Sequence, residues 1–294
     1  MKTVKSFLRY LSSDRGYSVR TVENYRADLE AFEAFFTSLD STLDWAQVDR
    51  DIVRRWVVSE VERGSAPRSV RRRLSALRAF FRFQMLMGEC RNNPAEAVRG
   101  PKCDRPLPAF LDEGAMDRLL DNVQFLPGFP GLRDRYMLLL LYSTGVRLAE
   151  LVGLNVEDVD LVGRSLRVVG KRDKERIIPF GAELAEETQH YLEARRRQFP
   201  LAQRPLIVGD DGLRITRSKV AAGVRRSLSA VTTMKKKSPH VLRHTFATVM
   251  LNHGADIEAV KELLGHESLS TTAVYMHTTF AELKKEYERA HPWA

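Results

Sequence analysis

The sequence predicts a mainly helical protein with one small antiparallel β-sheet, organised as two domains. Most of the 294 residues fall into segments with apolar residues at helical spacing, separated by short polar breaks. Residues 99–108, RGPKCDRPLP, concentrate three prolines and a glycine, the composition of a linker. The period changes from helical to alternating over residues 161–180, LVGRSLRVVGKRDKERIIPF. These observations divide the chain into a helical domain (1–98), a linker (99–108) and a larger domain (109–294).

In the first domain, SVRTVENYRADLEAFEAFFTSL starts with Ser18 as an N-cap and aligns Val22, Tyr25, Leu29, Phe32 and Phe36 on one stripe. DRDIVRRWVVSEVER is a second helix, stopped by Gly64, and SAPRSVRRRLSALRAFFRFQMLMG a third, with Pro67 in its first turn and Gly88 as its stop. On a helical wheel Val70, Leu74, Leu77, Phe81 and Met85 form its core face. Arg71, Arg78 and Arg82 cluster a quarter-turn away, beside Arg68 and Ser75. After the linker, LDEGAMDRLLDNV, LRDRYMLLLLYSTG and RLAELVGLNVEDVD read as helical. Leu166, Val168 and Ile178 with a Gly170–Asp173 turn make a hairpin, and helices resume over Ala182–Gln198 and from Ser218.

Lys and Arg number 47 against 38 Asp and Glu, a net charge of +9, which points to a polyanionic partner. Residues 51–108 hold 13 basic against 6 acidic side chains, so the excess is concentrated there. Between Arg68 and Arg82 there are six arginines and no acid. A merely solvated helix face carries mixed charges, so Arg68, Arg71, Arg78 and Arg82 are assigned to DNA or RNA phosphates, which suit guanidinium forks. Cys90 and Cys103 show no CxxC pattern, implying a reducing compartment. The N-terminus lacks the apolar core and cleavage site of a signal peptide, and YMLLLLY (136–142) is far short of the roughly 20 residues of a membrane span. A soluble, cytoplasmic protein without membrane association is expected.

The stretch PHVLRHTFAT (239–248) places His240 and Arg243 on one helical face. His240 and His244 have the spacing of two zinc ligands on a helix. A zinc protease motif, however, needs a glutamate where Val241 stands, and Arg243 would set a fixed charge beside the ion. No metal site and no cofactor is therefore assigned. Other basic groups stand in turns or at helix ends: Arg147 after a Thr-Gly break, Lys171 on the hairpin turn and His266 after Gly265, with Tyr275 nine residues on. Each alone is an ordinary surface residue. Together they suit a phosphodiester under attack, whose non-bridging oxygens gather charge that guanidinium groups stabilise.

This set resembles the tyrosine recombinase (phage-integrase-like) family, its Xer branch above all. The family order is Arg, Lys on a β-turn, His-x-x-Arg, His or Trp, then Tyr. It is met by Arg147, Lys171, His240–Arg243, His266 and Tyr275 in steps of 24, 69, 3, 23 and 9 residues. SVRRRLSALRAFFRF is similar to part of the family's N-terminal core-binding domain, and HTTFAELKKEYERAHPWA to the Xer tail. The resemblance implies a helical SAM-like core-binding domain followed by the catalytic domain. It departs at Arg172, where glycine usually follows the hairpin lysine, leaving Lys174 as an alternative to Lys171.

What the resemblance implies is a metal-free strand transfer. Tyr275 attacks a phosphate, Arg147 and Arg243 clamp it, and Lys171 protonates the leaving 5′-oxygen. His240 handles the tyrosine proton and His266 hydrogen-bonds the phosphate. Glu150 either orients Arg147 or is a surface glutamate. His244 reads as a buried structural residue and His253 as a helix end. The partners implied are double-stranded DNA at a specific site, clamped between the two domains, and self or a paralogous recombinase in a synaptic tetramer. In such a tetramer the tail face of Phe280, Leu283 and Tyr287 docks on a neighbour. A septal DNA translocase is a further partner. The role implied is dimer resolution at cell division; the alternative is integration of a mobile element. A non-catalytic DNA-binding protein would explain the charge but not the spacing.

Overall fold

The N-terminal helices begin and end at residues whose chemistry caps them. The computed structural model describes residues 2–103, 110–122, 125–170, 174–202, 204–265 and 280–294. Its first helix is α1 (Lys2–Ser13). The Thr21 amide donates to the Ser18 hydroxyl (3.3 Å) at the start of α2 (Val19–Leu39). Asp49 accepts from the Ile52 amide (2.8 Å) ahead of α3 (Arg50–Glu62). Pro67 opens α4 (Pro67–Leu86), where a missing amide hydrogen costs nothing. Gly64 and Gly88 follow α3 and α4 with φ of 78° and 74°, a left-handed conformation that glycine adopts without strain.

The core these helices enclose is aromatic. Phe32 and Phe36 of α2, Trp56 of α3, and Leu77, Phe80 and Phe81 of α4 are fully buried. Trp45, between α2 and α3, sets its ring 5.6 Å from Phe32, 5.2 Å from Phe36 and 4.4 Å from Phe80. Each such side chain contributes about 1.5–3 kcal/mol relative to exposure. Two expectations for α4 need correction. Met85 is exposed, and the buried face takes in Ala76, Phe80 and Phe83, because a helix flanked on several sides buries more than a narrow stripe. The arginines do meet acids, supplied by other segments. Arg72 pairs with Asp28 of α2, Arg73 with Glu60 of α3, and Arg82 with Glu96 at 3.0 Å. Arg78 donates to the carbonyls of Ala95 (3.0 Å) and Val98 (2.6 Å). A Cβ at Gly100 would lie 2.8 Å from the Arg71 stem, so the chain stays against α4 to residue 100.

The chain divides into two compact units, Met1–Pro106 and Leu107–Ala294. In the second, Asp112 caps α5 (Glu113–Asp117), which passes into one wider π turn over Arg118–Asn122 rather than continuing as a regular helix. The centre is α6 (Phe129–Thr144), which starts at Phe129 because Pro130 suits a first turn. From Tyr136 to Tyr142 it is buried all round, as expected of a helix without a polar face. Next come α7 (Leu148–Gly153), a 3₁₀ turn, β1 (Val159–Asp160), β2 (Ser165–Val169) and β3 (Glu175–Pro179). The strands form an antiparallel sheet in chain order, with Leu166 opposite Ile178 and Val168 opposite Arg176. The expected hairpin is present with β1 added; residues 171–173 of its turn lie outside the described residues. Then follow α8 (Ala182–Gln198), α9 (Arg217–Val231), α10 (Pro239–Asn252), α11 (Ile257–Leu264) and α12 (Phe280–Ala290). Among the described residues no helix is long and apolar enough to cross a membrane.

The tail corrects another expectation. Leu283, Tyr287 and Ala290 of α12 are buried in the core of their own unit, so most of the apolar face assigned to a neighbouring subunit is already covered. Phe280 alone of that face is exposed. Beyond α12, His291 is buried among Tyr287, Tyr142 and Phe246, with centroids 4.8, 5.2 and 5.7 Å away. Its Nδ1 accepts from the Trp293 amide (3.1 Å). Burial pushes its pKa down to about 3, from roughly 6.5 in the unfolded chain. A base with a depressed folded pKa adds stability in full above pH 6.5 and loses it as the pH falls towards 3, because only the unfolded chain then binds the proton. At pH 5 this removes about 2 kcal/mol from the second unit. Urea unfolding at pH 7 and 5 should show that loss in the wild type and a smaller one in His291→Gln; equal losses would remove His291 as its source.

Candidate active site

The site is built where three helix ends meet. Helix α6 stops at Gly145 in the left-handed conformation (φ 60°). A Cβ there would lie 2.6 Å from Phe246 and 2.8 Å from Leu264, so α10 and α11 approach too closely for any other residue. The sharp turn delivers Arg147 as the N-cap of α7, where Glu150 folds back on it. One carboxylate oxygen accepts from the Arg147 amide (2.7 Å), and the other accepts from its guanidinium (2.8 Å). Glu150 is buried, which settles its two readings in favour of the orienting one. Burial raises its carboxyl pKa, but hydrogen bonds from Arg176 and Arg147 outweigh that and hold it below the ordinary value.

Arg243 comes from the second turn of α10 and is buried. It donates to the Gly145 carbonyl (2.6 Å) and the Leu264 carbonyl (2.6 Å). Arg147 donates to the Gly265 carbonyl (2.8 Å). Burial first, then the charge of Arg147, push the Arg243 pKa down to about 10. It remains cationic at neutral pH, inside a setting that desolvates it. Arg147, Arg243 and Arg176, which shares Glu150 with Arg147, outnumber this one carboxylate and leave net positive charge, which suits an anionic oxygen cluster.

The structure thus brings Arg147 and Arg243, both singled out from the sequence, onto neighbouring carbonyls. His240 lies one turn before Arg243 and is exposed. Lys171, His266 and Tyr275 lie outside the described residues, and Lys174 is exposed on the hairpin. His244 is exposed rather than buried, because α10 turns its 241–243 and 245–246 arc inward and carries positions 240 and 244 on the other side. His253 ends α10 as expected. Arg68, Arg71, Arg78 and Arg82 belong to the first unit. Among the described residues no group of three His, Cys, Asp or Glu side chains is arranged to hold a metal.

One residue escaped the sequence reading. Arg176 of β3 donates to both Glu150 oxygens (3.0 and 2.9 Å) and to the Leu263 carbonyl (2.8 Å). Its signal was legible: it alternates with buried Ile178, a charge on the inward face of a strand.

A helical first unit, and a second in which a hairpin and two arginines converge on one helix end, define the class: a two-unit, mainly helical protein with a cluster of fixed cations suited to an anionic group. Comparison with known proteins narrows it. The profile of the Phage integrase family matches residues 109–282, and that of the Phage integrase, N-terminal SAM-like domain, matches residues 4–88. Tyrosine recombinase XerC of Vibrio atlanticus (strain LGP32) is 40% identical over 295 residues, 100% of this chain and 94% of the relative. Tyrosine recombinase XerC of Chlorobaculum tepidum is 38% identical over 314 residues, 98% of this chain and 94% of the relative. Among solved structures, the Tn1549 transposon integrase in complex with transposon right end DNA superposes with a TM-score of 0.75 at 19% identity, over 98% of each chain. The XerH site-specific recombinase bound to palindromic difH substrate gives 0.71 at 19% identity, over 90% of this chain and 78% of that one. At that identity these two share the fold. The chain belongs to the phage integrase family of tyrosine recombinases.

Proposed function

We propose that this recombinase cuts and rejoins duplex DNA at a specific site through a 3′-phosphotyrosyl intermediate, and so resolves chromosome or plasmid dimers. The observation that carries it is the pair Arg147 and Arg243, fixed on consecutive carbonyls at the end of α11. A phosphate seated against both meets preorganised positive charge, which is worth most where water is excluded. Tyr275 is the nucleophile, and the covalent bond conserves the phosphodiester energy, so rejoining needs no ATP. Arg147 and Arg243 hold the non-bridging oxygens, and Glu150 fixes Arg147. Lys171 protonates the leaving 5′-oxygen, His240 takes the tyrosine proton, and His266 hydrogen-bonds the phosphate. The full-length relatives above carry Xer names, which favours dimer resolution over the integration of a mobile element. Work in the cytoplasm, a tetramer of self or paralogous subunits and a septal DNA translocase belong to the same proposal. The test is trapping: on a nicked suicide duplex in EDTA, a covalent protein–DNA adduct should accumulate. No adduct under any condition overturns the proposal.

The first unit holds the DNA backbone in this reading, but the basic face is smaller than its arginine count. Arg78 supports two backbone carbonyls and Arg82 is paired, whereas Arg68 and Arg71 are exposed. Each phosphate contact adds about 0.9 to the slope of log K against log salt. The double Arg68→Ala, Arg71→Ala variant should lose roughly two units of slope on specific and random duplexes alike. Arg78→Ala should instead lower thermal stability, since buried carbonyls lose their donor. An unchanged slope in the double variant would remove Arg68 and Arg71 from the interface.

A further inference from the structure

We propose that Arg176 is a positioning residue for strand transfer: it holds Glu150, and through it Arg147, against the C-terminus of α11. The proposal rests on the reading of Arg147 as part of the phosphate clamp.

A helix ends with carbonyls that have no partner within it. At the end of α11 three in succession accept from three different arginines. The Leu263 carbonyl takes Arg176 Nε (2.8 Å), the Leu264 carbonyl Arg243 Nη2 (2.6 Å), and the Gly265 carbonyl Arg147 Nη2 (2.8 Å). Three guanidiniums so close repel one another. The negative end of the helix offsets part of this, and Glu150 supplies a carboxylate to two of the three. Its capacity is divided evenly. Oε1 accepts from Arg147 Nη1 (2.8 Å) and Arg176 Nη1 (3.0 Å), while Oε2 accepts from the Arg147 amide (2.7 Å) and Arg176 Nη2 (2.9 Å). Arg176 therefore occupies half the acceptor sites of the group that orients Arg147.

Its place in the chain gives this arrangement a second consequence. Arg176 lies opposite Val168 on the hairpin whose turn carries Lys171. One side chain thus ties that hairpin, Arg147 and the α11 terminus into one frame. Gly265 fits the same frame: its φ is 62°, and a Cβ there would press on the Arg176 guanidinium at 3.2–3.3 Å. Arg176 spends both Nη atoms on Glu150 and its Nε on Leu263, and the proposal gives it the frame rather than the phosphate. A lysine would keep the charge but not the fork.

The experiment compares wild type, Arg147→Ala, Arg176→Gln and Arg176→Lys. It measures DNA affinity, melting temperature and the rate of adduct formation on a nicked suicide duplex. The substrate carries either an ordinary scissile phosphate or a methylphosphonate of each configuration, which removes one non-bridging charge. Folded Arg176→Gln is expected to bind DNA as wild type does and to cleave the phosphodiester about 100-fold more slowly, the cost of misplacing a reacting group by about 1 Å. Arg176→Lys should also be slow. On the methylphosphonate that narrows the deficit of Arg147→Ala, the deficit of both Arg176 variants should narrow as well. Where Arg176→Gln does not fold, Arg176→Lys carries the comparison. Wild-type rates in the folded Arg176 variants, or a deficit that the methylphosphonate leaves unchanged while it narrows that of Arg147→Ala, overturn the proposal. Unimpaired cleavage by Arg147→Ala would instead sink the reading of the clamp itself.

Discussion

Tyr275→Phe is expected to bind its DNA site as the wild type does and to yield no covalent adduct at all. The substitution removes one oxygen and keeps the ring, so packing and charge are preserved while the nucleophile is lost. A tyrosine hydroxyl with an ordinary pKa of about 10 attacks only where a base takes its proton and cations stabilise the negative charge left on its oxygen. The other tyrosines of the second unit offer no substitute there. Burial pushes the Tyr136 and Tyr287 phenols well above that value and Tyr191 up to about 12. Tyr142 is buried between α6 and the tail, its ring 5.1 Å from Trp293. A phosphotyrosyl linkage formed by Tyr275→Phe, mapped by peptide mass, would transfer the role to another residue. Loss of DNA binding in that variant would mean that the hydroxyl serves the structure.

What could be read from the sequence divides along a physical line. Caps, stops and periodicity are local, and Ser18, Pro67, Gly88 and the alternation of Leu166, Val168 and Ile178 all act where their chemistry predicts. Arg147 and Arg243 were singled out by the Thr-Gly break before the first, the His-x-x-Arg spacing of the second and the family order that both meet, and the structure sets them on neighbouring carbonyls. Partnerships across long separations were not. Nothing near Arg78 in the chain announces that it will serve the carbonyls of residues 95 and 98, and the acids that neutralise Arg72 and Arg73 lie on α2 and α3. Counting charges along one helix therefore overstated its basic face. The tail misled for a similar reason. An amphipathic helix declares that its face will be covered, not by what, and here its own unit covers Leu283 and Tyr287. Arg176 shows the converse: a charge at an inward strand position cannot stay unpaired, so its partner was implied although its identity was not.

Arg243→Ala should slow cleavage by about 10²–10³-fold, the cost of losing one preorganised donor to a developing oxyanion. The structure adds a second loss. The Gly145 and Leu264 carbonyls would both lose the buried donor that holds them, worth about 1–3 kcal/mol of stability for each unsatisfied group. Arg243→Lys should not restore the rate, because one ammonium cannot span two carbonyls and still face a phosphate. A bridging sulfur in place of the scissile 5′-oxygen separates this clamp from the acid. Sulfur leaves with little need of a proton, so Lys171→Ala should be crippled on ordinary DNA and largely recovered on the sulfur substrate. Arg243→Ala should stay slow on both, since the charge it stabilises lies on the non-bridging oxygens whatever atom departs. Recovery of Arg243→Ala by sulfur would make Arg243 part of the proton path. The same pattern in Lys174→Ala, with Lys171→Ala unimpaired, would move the acid three residues along the hairpin.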